Sequence, residues 1–83
     1  MKLHYFAWVR ERIGVAEEDI APPPGIATVG ELVAWLAERG EGYAYAFENP
    51  KVIRAAIDKN HVRADARIAG AAEIAFFPPM TGG

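Results

Sequence analysis

Thr28-Val29-Gly30-Glu31-Leu32-Val33-Ala34-Trp35-Leu36-Ala37-Glu38-Arg39-Gly40 carries the signals of one complete helix. Thr28 and Glu31 match a capping box, in which the hydroxyl and the carboxylate each satisfy a backbone N–H that the first turn leaves free. Val29, Leu32, Val33 and Leu36 follow at spacings of three and four, so their side chains share one apolar stripe. Trp35 flanks that stripe and reads as packing. Gly40, after Arg39, is expected to end the helix in the left-handed conformation. One amphipathic helix needs an apolar surface to cover, and the flanking sequence offers strands.

Upstream, Leu3, Tyr5, Ala7 and Val9 alternate with His4, Phe6 and Trp8, a period of two that predicts a first strand with both faces largely apolar. Arg10 to Val15, with Gly14, is expected to turn the chain into a second, antiparallel strand over Ala16 to Ile20. Pro22-Pro23-Pro24-Gly25 stops it. Downstream, Tyr43-Ala44-Tyr45-Ala46-Phe47 alternates like a strand but ends at Asn49-Pro50; periodicity does not separate strand from helical turn, and the reading leans to a short helix. Val52 to Asp58 reads as a strand, Lys59-Asn60 as a turn, and His61-Val62-Arg63 as a short returning strand. A loop through Gly70 leads to a last strand, Glu73 to Phe77, and Pro78-Pro79 forces an extended exit.

That order predicts an α+β fold: a mixed sheet with one main helix packed on one face. The β-grasp arrangement fits, with the first and last strands parallel and side by side at the centre. Residues 1–79 would form the domain and 80–83 a flexible tail. Eighty-three residues make one domain able to bury roughly 60–65% of the surface of its unfolded chain, without staples.

Nine Lys and Arg against eleven Asp and Glu leave no concentrated positive charge for a phosphate backbone, so nucleic acid is not an expected partner. Without a signal-peptide core or a bilayer-length apolar run, a cytoplasmic protein with no membrane partner is expected. There is no cysteine, which excludes disulfides and thiol nucleophiles. The two histidines, His4 and His61, have no carboxylate at helical spacing, so no metal site is expected. Glu17-Glu18-Asp19 reads as a solvated strand edge that discourages edge pairing.

Gly82-Gly83 leaves a carboxylate on a thread without side chains, able to enter a narrow channel. A carboxylate becomes an electrophile once activated as an acyl adenylate; a sulfur nucleophile then leaves a thiocarboxylate, and an amine an amide. Ala75-Phe76-Phe77-Pro78-Pro79-Met80-Thr81-Gly82-Gly83 resembles the C-terminal signature of molybdopterin synthase small subunits. Tyr5-Phe6-Ala7-Trp8-Val9-Arg10-Glu11, Gly14, Thr28-Val29 and Glu31-Leu32 extend the resemblance over almost the whole chain. Ala69-Gly70-Ala71-Ala72-Glu73 departs from the acidic turn usual there, as do Asp58 and His61 from an asparagine and an apolar residue.

The resemblance implies a ubiquitin-like sulfur carrier, the non-catalytic, sulfur-donating half of a two-component synthase, with no bound cofactor. Its Gly83, preceded by Gly82, would be adenylated by an activating enzyme that uses ATP, then thiocarboxylated. It would donate sulfur to cyclic pyranopterin monophosphate in the large subunit, forming the dithiolene of molybdopterin for molybdenum cofactor biosynthesis. Two small and two large subunits would make a heterotetramer. The alternatives are a related carrier for thiamine or tRNA thiolation, against which Phe-Phe-Pro-Pro argues, and a modifier joined to lysines. A stand-alone enzyme is disfavoured, because no nucleophile is paired with a base.

Strand parity gives a second expectation. If Leu3, Tyr5, Ala7 and Val9 face the helix with Ile74 and Phe76, then His4, Phe6, Trp8, Ala75 and Phe77 share the other face. Uncovered aromatics beside the tail suit docking to the large subunit. The expected partner-binding residues are therefore Phe6, Trp8, Phe77, Pro78, Pro79, Met80 and Thr81, with Arg10 at the edge.

Overall fold

The computed structural model describes residues 1–79. In chain order the elements are β1 (Lys2–Tyr5), α1 (Ala7–Ile13), β2 (Glu17–Asp19), α2 (Val29–Ala37) and α3 (Glu41–Ala46). A 3₁₀ turn (Pro50–Val52), β3 (Arg54–Ile57), β4 (Asn60–Val62) and β5 (Glu73–Phe77) follow. The sheet order is β2-β1-β5-β3-β4. β1 and β5 run parallel at its centre with Leu3 opposite Ile74 and Tyr5 opposite Phe76, and every other pairing is antiparallel.

The Thr28–Glu31 box is present: the Thr28 hydroxyl oxygen accepts from the Glu31 N–H at 3.2 Å, and the Glu31 carboxylate accepts from the Thr28 N–H at 3.0 Å. Val29, Leu32, Val33 and Leu36 are buried as the stripe requires, beneath a core shared with Leu3, Tyr5, Val9, Ile74 and Phe76. The helix stops earlier than Gly40. Glu38 and Arg39 close it with N–H bonds to Trp35 and Leu36, and Gly40, at φ 166, is extended backbone that opens α3. Tyr43 to Ala46 is thus helical.

The first strand is shorter than its alternation predicts. β1 ends at Tyr5, and Ala7 to Ile13 is a helix closed by left-handed Gly14 (φ 99). Pro78 gives the reason. Phe6 N–H still bonds the Phe76 carbonyl at 3.1 Å, but the next rung of a parallel ladder would need an N–H from Pro78, which has none. The Phe6 carbonyl instead accepts from Val9 and Arg10 N–H at 3.1 and 3.3 Å, starting α1. Val9 still reaches the core, because its distance of four from Tyr5 suits a helix as well as a strand alternation. Ala7, expected to face inward, is exposed.

The late hairpin turns one residue earlier than expected. Ile57 pairs with Asn60, so Asp58 and Lys59 are the two loop residues, at φ 47 and 73. Asp58 Oδ1 accepts from the N–H groups of Ala72 and Glu73 at 3.1 and 3.0 Å, tying this turn to the start of β5.

Candidate functional site: the uncovered face of the sheet

Alternation along β5 sends Ile74 and Phe76 into the core and leaves Glu73, Ala75 and Phe77 on the other side, each partly exposed. Register does the rest. His4 lies opposite Ala75, Ala75 opposite Ala56, and Ala56 opposite His61. One row across four strands therefore reads His4, Ala75, Ala56, His61, with the two smallest side chains in the middle.

Two aromatics rise at the end of the sheet where the chain leaves. Phe6 is 48% exposed and stacks on His4 with ring centres 6.5 Å apart. Phe77 meets His61 edge to face at 5.2 Å. None of His4, Phe6, Ala56, Ala75, Phe77 or His61 belongs to the core cluster. Among them the alanines leave a hollow of about 300 Å³, lined by His4, Phe6, Ala56, Lys59, Glu73 and Ala75.

The charges on this face are ordered. His4 Nε2 is 3.2 Å from Glu73 Oε2 and its Nδ1 is 3.8 Å from Glu17 Oε2, which also pairs with Lys2 at 3.5 Å. Glu17 on β2 and Glu73 on β5 thus flank His4, and both are already engaged. Toward β3 and β4 stand Arg54, opposite Phe77, and Lys59. No group of three His, Asp or Glu suited to hold a metal ion occurs among the described residues, and no helix among them is long and apolar enough to cross a membrane.

Phe6, Phe77 and Pro78-Pro79 therefore meet at one end of the sheet, whereas Trp8 and Arg10 do not lie on it. Both are in α1, because the strand that would have carried them ends at Tyr5. The Arg12 guanidinium lies 4.3 Å from the Trp8 ring centre and 3.9 Å from that of Tyr45, so Trp8 helps to fasten α1 to α3. Arg10 is exposed. Met80, Thr81, Gly82 and Gly83 lie outside the described residues. The alternation signal missed Ala56, whose place on this face follows from the β3–β5 register, and Lys59, which the β3–β4 loop brings to the edge of the hollow.

Comparison with known proteins gives concordant matches. The model of the ThiS family matches residues 3–83. The molybdopterin synthase sulfur carrier subunit of Escherichia coli (strain K12) is 35% identical over 83 residues, covering 100% of this chain and 99% of that protein. Its namesake in Haemophilus influenzae is 37% identical over 79 residues, 95% of this chain and 94% of that one. Among solved structures, SAMP1 from Haloferax volcanii superposes with a TM-score of 0.71 at 25% identity, covering 100% of this chain and 98% of the other.

Proposed function

The chain belongs to the ThiS family, and from that membership we propose that it is the sulfur carrier subunit of a molybdopterin synthase, working through the carboxylate of Gly83. Its two full-length relatives bear that name. The observation that carries the reading is the central parallel pair: β5, held between β1 and β3, delivers Phe77-Pro78-Pro79 beside an uncovered aromatic face. Met80-Thr81-Gly82-Gly83 follow in the sequence.

The chemistry follows from that terminus. An activating enzyme lets the carboxylate attack the α-phosphate of ATP, expelling pyrophosphate and leaving an acyl adenylate. A sulfide equivalent from a sulfur donor displaces AMP, leaving a thiocarboxylate. With its terminus in the large subunit, the carrier's sulfur bonds to a carbon of the pyranopterin substrate as a carbon–oxygen bond there breaks and the oxygen leaves. Water then cleaves the acyl–sulfur bond, regenerating the carboxylate and leaving the sulfur on the substrate as a thiolate. A thiocarboxylate is ionised and nucleophilic at neutral pH, so this chain needs no general base of its own. Residues 1–79 serve as the docking body and 80–83 as the arm. Phe6, Phe77, Pro78 and Pro79 make the first contacts, Met80 and Thr81 continue them, and Arg10 and Trp8 on α1 can touch only a partner that reaches past the sheet end. The setting is cytoplasmic, with two carriers on a dimer of large subunits.

The test is intact mass after incubation with the activating enzyme, ATP and a sulfur donor, followed by turnover with the large subunit. The reading expects one terminal oxygen exchanged for sulfur, and that sulfur in the product. Stable conjugates to lysines with no sulfur exchange would instead assign a modifier.

A further inference from the structure

The alanine-floored hollow and Lys59 above it form the most unusual local feature of the uncovered face. Asp58 and Lys59 both have positive φ, the backbone of a two-residue hairpin loop that favours Asn-Gly or Asp-Gly. Asp tolerates that region; Lys does not gain from it, because its Cβ crowds the backbone there. The turn is nevertheless fixed, by Asp58 Oδ1 on two β5 N–H groups and by Asn60 Nδ2 donating to the Asp58 carbonyl at 3.2 Å. A lysine is thus held where glycine would be cheaper, at the rim of the hollow.

We infer that this hollow receives a bulky apolar side chain of the large subunit, and that Lys59 pairs with a carboxylate next to that side chain. The inference rests on the docking reading above and adds to it the chemistry of the contact. The floor is two methyl groups and one wall is the Phe6 ring, so the space suits an apolar knob. The acidic rim group, Glu73, is engaged by His4 at 3.2 Å, whereas Lys59 is in no ion pair among the described residues. The charged rim group left without a partner among the described residues is therefore Lys59, and its complement is a carboxylate. Alanine at 56 and 75 leaves room, and lysine at 59 sets the sign.

Titration calorimetry of the full chain against the large subunit, with thermal unfolding of each variant, tests this. Ala75→Leu fills the hollow from an outward-facing position and is expected to weaken docking about tenfold, the loss of one anchoring contact, with cooperative unfolding kept. Lys59→Gly restores the preferred turn residue; it is expected to raise the melting temperature while weakening docking and flattening its salt dependence. A purely structural role would move both readouts the same way. Wild-type affinity in either variant overturns the inference. Phe77→Glu separates this from the underlying reading: if it abolishes docking while Ala75→Leu and Lys59→Gly dock normally, the face is the interface but the hollow is not used. If Phe77→Glu also docks normally, the docking reading falls.

Discussion

The hydroxyl of Tyr5, a residue only 1% exposed, donates to the carboxylate of Glu18 at 2.7 Å and so joins β1 to the edge strand β2. Tyr43 on α3 donates to the same oxygen at 2.7 Å, and Arg39 Nη1 donates to the other at 3.2 Å. Burial opposes the charge on Glu18, but the bonds from Tyr5 and Tyr43 and the Arg39 guanidinium together outweigh it and hold the carboxyl below its usual 4.5. Burial, with Glu18 close by, pushes the Tyr5 hydroxyl far up, so it stays a donor at any ordinary pH.

The linkage has a definite sign. A carboxyl depressed by folding contributes stability that is complete above its unfolded value and is lost as pH falls through the folded one. Glu18→Gln is therefore expected to cost roughly 1–2 kcal/mol at neutral pH, the difference between a charged and a neutral acceptor for these donors. The gap from wild type should close on acidification below about 4.5. Urea unfolding of both proteins across pH 3–7 checks it, and a gap constant with pH would mean the charge is not what matters.

Gly42→Ala should destabilise the domain, against helix propensity. An added Cβ would lie 2.7 Å from the Arg12 carbonyl oxygen and 3.4 Å from Ile13 Cα, where the end of α1 crosses the start of α3. Propensity favours alanine by about 1 kcal/mol, whereas overpacking against backbone costs roughly 1–3. Thermal unfolding of the variant decides which effect wins; a raised melting temperature would mean that the two helices separate easily.

Leu36→Ala is expected to cost roughly 2–4 kcal/mol, the usual penalty for truncating a fully buried leucine; Leu36 is 0% exposed at the centre of the core. Chemical denaturation measures it. A loss below about half a kcal/mol would place α2's stripe away from the sheet.

Local signals were legible and long-range ones were not. The Thr28–Glu31 box needs only four residues, and it stands as read; β5 runs Glu73–Phe77 as its alternation predicts. The α1 segment misled because Tyr5 and Val9, four residues apart, satisfy strand and helix spacing together. What ended the strand was the missing N–H of Pro78, near the other end of the chain. That one substitution of geometry moved Trp8 and Arg10 off the face on which alternation had placed them, while Phe6 and Phe77 kept their places. The hollow was hidden for a related reason: Ala56 and Ala75 are unremarked small residues until the register sets them side by side.

The most diagnostic prediction concerns the terminus. Deleting Gly83, or adding one alanine after it, should abolish sulfur transfer while leaving unfolding and docking of the body almost unchanged. One residue advances an extended chain by about 3.3–3.6 Å, whereas reacting atoms must come within about 3–3.5 Å of each other. A single residue therefore moves the carboxyl group by its whole working range, and no adjustment of the docked body compensates, because β5 is pinned between β1 and β3. An added alanine also brings a Cβ into a path that we propose is sized for glycine. The measurement is adenylation by the activating enzyme, then product formation with the large subunit and pyranopterin substrate, with the carrier's intact mass followed throughout to exclude trimming. Full turnover by the untrimmed, extended chain would place the reactive group somewhere other than the terminal carboxylate. Normal docking with no turnover is the expected pattern if, as proposed, the body supplies position and the last glycine supplies the reacting carbon.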